Sequence, residues 1–178
     1  MEVSKQAKRV ISISLGSSKR DASAALELGG QRVLLERRGT DGDLSRARQL
    51  LEQWDGKADA IGLGGTDLYV FAGNKRYTFR ESAHLIANVR HTPVLDGSGL
   101  KNSLERKLIR SLAAGDKVSI KGSKVLLVCA VDRFGMAEAL LEAGAQVTFG
   151  DLIFGLNVNK PLYSLKTLSC WASLLAPV

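Results

Sequence analysis

The chain has 178 residues, enough for one full domain or one domain with part of a second, and 45% of them are apolar, which suits a globular core and excludes a fibrous or disordered chain. Net charge is +7 and uneven: residues 61–122 carry 10 basic and 5 acidic side chains, against 11 and 9 before them and 4 and 4 after. No apolar run reaches the ~20 residues that span a bilayer, and MEVSKQAKRVISISLG lacks an apolar stretch of signal-peptide length. The two cysteines form no CxxC or Cys/His cluster. A cytoplasmic protein with no membrane association and no bound metal is expected.

RVISISLGSS (Arg9–Ser18) reads as a buried strand ending in a Gly-Ser turn. Gly29-Gly30 joins two strand-like runs into a hairpin. The turn Thr40–Asp43 can cap a helix over Leu44–Trp54, whose apolar face holds Leu44, Ala47, Leu51 and Trp54. Ala58–Leu63 is a short buried strand, and Tyr69–Phe71 with Arg76–Phe79 forms a second hairpin over Gly73-Asn74. Thr78 and Glu81 fit a capping box for a helix to about Val89, stopped by His91-Thr92-Pro93. Asn102 and Glu105 open a further helix with Leu104, Leu108 and Leu112 inside and Arg106, Lys107 and Arg110 outside. A polar connector follows, and the domain boundary is placed there, dividing residues 1–115 from 116–178.

VLLVCAVDRFGMAEALLEAGAQVTFGD (Val125–Asp151) has the order of a dinucleotide-binding βαβ unit. Its strands are Val125–Val128, with Cys129 as a buried small hydrophobe, and Gln146–Phe149. Its helix spans Met136–Ala143, and Gly144 sits where a left-handed helix end favours glycine. Asp151 stands at the end of the second strand, where an acid binds the ribose hydroxyls of NAD and repels the 2′-phosphate of NADP. The turn CAVDRFG keeps one glycine, Gly135, and offers Asp132 and Arg133 in place of the others. In the last segment Leu162, Leu165, Leu168 and Leu175 mark a helix ending on Ala-Pro-Val. The fold class is therefore α/β, an N-terminal mixed α/β domain followed by an incomplete Rossmann-like βαβ unit. One such unit does not cover both faces of a parallel sheet, so a longer natural chain, or a second copy of this one, is expected to complete it.

LDGSGLKNSLERKL (Leu95–Leu108) followed by IKGSKVLLV is similar to the shikimate/quinate dehydrogenase family, in which a TDGxG loop leads into a helix and a KGKxVLxxG phrase opens the cofactor domain. LGSSKRD, GTDGD, GLGGTDLY and DGSGLKNSLER are further phrases of a divergent bacterial branch of that family, the quinate 5-dehydrogenases. The resemblance implies an NAD-dependent oxidoreductase that oxidises a ring hydroxyl of a small polyhydroxy carboxylic acid. It carries the family's proton-handling Asp to Asp96. The family's Lys phrase falls at GLGGTDLY, with Thr66 and Asp67 and no Lys, so Lys101 or Lys19 would stand in for it. Ser12 and Ser14 echo the Ser-x-Ser that binds the substrate carboxylate.

Two other readings stand beside this one. A non-catalytic Rossmann-like module would use the basic middle of the chain to meet an acidic ligand or partner. An actin-like ATPase domain would use Gly16–Lys19 as its phosphate turn. The basic residues are not interleaved with aromatics, so no nucleic-acid partner is expected. His84 and His91 have no evident partners and are read as non-catalytic.

Overall fold

The computed structural model describes residues 6–73, 75–115 and 118–175. It is a mixed α/β protein of two compact units, Met1–Leu68 with Phe79–Gly97 and Tyr69–Thr78 with Ser98–Val178.

Unit 1 is built on a five-stranded mixed sheet. Its strands are β1 (Lys8–Ser14), β2 (Ala22–Leu28), β3 (Gln31–Gly39), β4 (Ala60–Gly64) and, after the hairpin described below, β7 (Val94–Leu95). The order is β2-β3-β1-β4-β7. β1 runs parallel to both β3 and β4, β4 runs parallel to β7, and β2 closes one edge antiparallel to β3. Glycines 29 and 30 turn the β2–β3 hairpin with φ of 58° and 74°, which glycine adopts without steric cost.

Alternation along the strands decides which face is covered. Ile11, Ile13, Ile61 and Leu63 point one way and are buried. They share the core with Ala47 and Leu51 of α1 (Leu44–Trp54). The other face carries small groups, with Ser12 opposite Gly62 and Ser14 opposite Gly64. Asp43 caps α1 as expected, its carboxylate accepting the Arg46 N–H at 2.9 Å. Leu44 is exposed rather than in the core, because it occupies the first turn.

α1 ends at Asp55, whose carboxylate accepts the N–H groups of Arg90, Thr92 and His91 at 2.9, 2.7 and 2.8 Å and meets His91 Nδ1 at 3.0 Å. The Arg90 N–H, followed by those of Thr92 and His91, holds the Asp55 carboxyl well below the usual carboxylate range. A carboxylate depressed in the folded state stabilises the fold fully above its unfolded pKa of about 3.9 and loses that contribution as pH falls towards its folded value. Asp55→Asn is therefore expected to lower Tm at pH 7. The gap to the parent chain should narrow below about pH 4, as thermal melts across pH 2–7 would show.

In unit 2, β5 (Tyr69–Ala72) and β6 (Lys75–Thr78) form an antiparallel hairpin. Asn74 of its expected turn lies outside the described residues. Thr78 is paired with Tyr69 in this hairpin, so the expected capping box does not form. α2 (Arg80–Leu85), in unit 1, starts after Phe79 with no side-chain cap and ends short of the expected Val89.

From Ser98 the chain is helical through α3 (Ser98–Leu100), a π turn at Lys101–Glu105 and α4 (Arg106–Ala114). This run was expected to close the first domain. It packs instead within unit 2, where Arg106 and Arg110 pair with Glu138 and Glu142 at 2.5 and 2.9 Å. Those pairs set the arginine side towards α5, with Arg106 half-buried and Arg110 exposed. Leu104 and Leu108 are accordingly 54% and 52% exposed, opposite to the expected register, and Ile109 is buried. Asp116 and Lys117, at the expected boundary, lie outside the described residues.

β8 (Lys124–Leu127) and β9 (Gln146–Phe149) pair parallel around α5 (Phe134–Glu142). Gly144 ends α5 with φ 81°, as expected. β8 stops at Leu127, so Cys129 falls past the strand and is exposed, not buried. Leu162, expected in the last helix, bridges Phe149 antiparallel. α6 (Leu165–Leu175) follows, and the Ala-Pro-Val end lies outside the described residues.

Candidate functional site

The four parallel strands of unit 1 end on one edge of the sheet. β3 lies on one side of β1 and β4 and β7 on the other, so the chain switches direction across the sheet between β1 and β4. Open α/β sheets bind ligands outside the carboxyl ends of their strands at such a point. LGSSKRD follows β1, TDGD follows β3, GTDL follows β4, and Asp96-Gly97 follows β7.

Backbone hydrogen bonds lock these loops to one another. Leu15 N–H donates to Gly64 at 2.8 Å, Thr40 N–H to Ser14 at 2.9 Å, Asp41 N–H to Gly16 at 3.1 Å and Gly42 N–H to Leu15 at 2.8 Å. Asp41 has φ 53°, a left-handed value that aspartate tolerates better than most residues. Its carboxylate accepts the Ser18 N–H at 2.8 Å, and the Ser18 hydroxyl and N–H hold it below the usual carboxylate range. Asp21 accepts the Gly39 N–H at 2.5 Å and pairs with Arg37 at 3.1 Å. Gly39 is required for contact: a Cβ there would lie 2.6 Å from Ser17 and Ser18 backbone atoms.

Lys19 and Arg20 stand exposed on the loop after β1 and make no ion pair among the described residues. They are exposed cations on an edge that also carries the exposed carboxylates of Asp41 and Asp43. Arg20, Asp41 and Gly39 were not singled out from sequence. Their signal was the repeated placement of turn residues after strands, which acquires meaning once the strands are known to be parallel.

The residues expected to bind substrate take different places in the fold. Ser14 is buried and its Oγ accepts the Gly16 N–H at 3.1 Å, so it shapes the turn. Ser12 is half-buried on the sheet face away from α1. Thr66 and Ser82 hydroxyls meet at 2.8 Å, and Asp67 is half-buried in the same loop. Asp96 Oδ2 accepts the Leu68 N–H at 2.6 Å, tying β7 to the loop after β4. β7 lies two strands from β1, or about 10 Å at the ~4.8 Å spacing of strands. Asp96 and Lys19 therefore rise from non-adjacent strands. Lys101 belongs to unit 2, where its Nζ lies 2.6 Å from Asp132.

The expected cofactor turn is filled by protein groups. The Val131 N–H donates to Asp151 Oδ1 at 2.9 Å and the Arg133 N–H to Ala130 at 3.1 Å. Two turn amides that could face a pyrophosphate are thus spent inside the chain. Asp151 is turned to the loop backbone, and its other oxygen is buried with no partner. Asp132 pairs with Lys101, and Arg133 pairs with Glu105. Gly135 lets the N-terminal end of α5 approach the π turn, since a Cβ would lie 2.7 Å from the Asn102 carbonyl oxygen. These residues do not fit the pyrophosphate of a dinucleotide.

Among the described residues no helix is long and apolar enough to cross a membrane, and no group of three or more His, Cys, Asp and Glu side chains is placed to hold a metal. The fold is that of a two-unit mixed α/β protein whose first unit has a topological switch point between β1 and β4. Residues 9–96 match a family described as a domain of unknown function (DUF8753), and residues 99–178 match a second, also a domain of unknown function (DUF8754). The two matches are separated where the chain passes from Gly97 of unit 1 to Ser98 of unit 2, while the first match also takes in the β5–β6 hairpin of unit 2. No curated protein matches the chain.

Proposed function

We propose that unit 1 is a binding module for a small anionic ligand, a carboxylate or a phosphate, seated at the carboxyl edge of its sheet between the loops after β1 and β4. The observation that carries this reading is the convergence of four interlocked loops at the switch point, with Lys19 and Arg20 left without ion-pair partners among the described residues. Unit 2 is read as a Rossmann-like scaffold with no dinucleotide. The site would act by position and charge: two cations attract the anion, and hydroxyls of the same loops orient it.

The parallel βαβ order of β8, α5 and β9 supports a second reading, an NAD-dependent dehydrogenase of the quinate/shikimate type acting on a polyhydroxy carboxylic acid. Isothermal titration with quinate, shikimate and inorganic phosphate, beside NADH titration by nicotinamide fluorescence, separates the two. The binding-module reading expects one of the anions to bind and NADH not to bind. Lys19→Ala/Arg20→Ala should weaken the anion at least tenfold without changing Tm, because both side chains are exposed. Unchanged affinity in that variant would remove the site, and saturable NADH binding would favour the dehydrogenase.

A further inference from the structure

The β5–β6 hairpin of unit 2 gathers aromatic and basic side chains that are scattered in sequence. Pairing sets Tyr69 opposite Thr78 and Phe71 opposite Arg76 on one face, and Val70 opposite Tyr77 on the other. Val70 and Tyr77 are buried, and the Tyr77 hydroxyl meets Ser173 of α6 at 2.7 Å, so that face is the inner one. The outer face therefore carries Tyr69 and Phe71, both half-buried, and Arg76, which is exposed. The two rings stand edge to face with centroids 5.4 Å apart, and the Arg76 guanidinium lies 5.0 Å from the centre of the Tyr69 ring. Lys75, exposed, alternates to the other face, where its ammonium lies 5.0 Å from the centre of the Tyr77 ring. No acidic residue occurs between Asp67 and Glu81, in a chain of net charge +7.

We propose that this outer face is a stacking platform for single-stranded nucleic acid. Rings and a planar guanidinium on one face offer π surfaces to unpaired bases, and Arg76 offers charge to the adjoining phosphates. An acidic peptide would use the cations and leave the rings without a role. Duplex DNA would use the cations too, but its bases are already stacked on one another and cannot meet the rings. The absence of clustered aromatics and bases along the sequence argued against such a partner. The hairpin overturns that argument, because cross-strand pairing places Phe71 next to Arg76.

The test is fluorescence anisotropy with a labelled 12-mer oligo(dT), an oligo(rU) of equal length, a duplex of equal length and a polyglutamate peptide, at 50 and 200 mM salt. Oligo(dT) or oligo(rU) is expected to bind more tightly than the duplex and the peptide, and more weakly at the higher salt. Phe71→Leu should weaken single-strand binding about tenfold, within the range of one lost base stack. Arg76→Gln, at an exposed position that packing does not constrain, should weaken it several-fold with Tm unchanged. The proposal is overturned if neither single strand binds at 50 mM salt, if duplex or polyglutamate binds as tightly, or if Arg76→Gln leaves the affinity unchanged. The hairpin and the proposed anion-binding loops belong to different units, so failure at one site is read separately from failure at the other.

Discussion

Phe149→Ala is expected to bring unit 2 close to unfolding. Phe149 is completely buried in β9, and its N–H and carbonyl are both bonded to Leu162. Removing a phenyl ring from such a place costs about 3–5 kcal/mol, through lost transfer energy and the cavity left behind. Domains are stable by only ~5–15 kcal/mol, so that loss is a large share of the total. Urea unfolding followed by circular dichroism should show a midpoint shifted sharply downward. Phe149→Leu refills part of the cavity and should recover much of the shift.

Gly39→Ala is the second large effect. The new methyl would overlap the backbone of Ser17 and Ser18 at 2.6 Å, and no side chain can swing aside to relieve it. Overpacking of this kind costs about 1–3 kcal/mol or more. Strand β3 and the loop after β1 must separate, which displaces Lys19 and Arg20. The variant should lose both thermal stability and anion binding. Gly99→Ala is the matching control: its Cβ meets nothing within 4 Å and it lies in a helical segment. There the change should be neutral or stabilising by roughly 0.5–1 kcal/mol.

Local chemistry was legible in the sequence and long-range partnership was not. The helix Leu44–Trp54, the Gly29-Gly30 hairpin and the strand Gln146–Phe149 were all readable, because caps, glycine turns and apolar periods are encoded by neighbouring residues. The inward face of the helical run 98–114 was misread for a definable reason. Its arginines find glutamates on α5, about thirty residues onward, and a π turn breaks the 3.6-residue period on which the expectation rested. The candidate site shows the same division. Asp96, Thr66 and Asp67 were visible as loop residues after strands. Their placement on one sheet edge with Lys19 and Arg20 depends on the parallel order β3-β1-β4-β7, which no local pattern states. Asp132, Arg133 and Asp151 looked available to a cofactor because their partners Lys101, Glu105 and the Val131 N–H lie 20 or more residues away in sequence.

The central placement of β1 also dictates an order of assembly. β1 is the first strand in sequence, yet it has no neighbour until β3 arrives, with Lys8 opposite Val33, and its second flank waits for β4, with Val10 opposite Ala60. The β2–β3 hairpin closes over two residues and can form in microseconds. It then presents β3 as a ready edge on which β1 docks, and α1 carries the chain over to deliver β4. During synthesis β1 leaves the ribosome as an unpaired run, VISIS, with a buried face still open to solvent. β1 is thus the part of unit 1 most exposed to mispairing before its later strands arrive, and the hairpin that follows is its earliest safeguard.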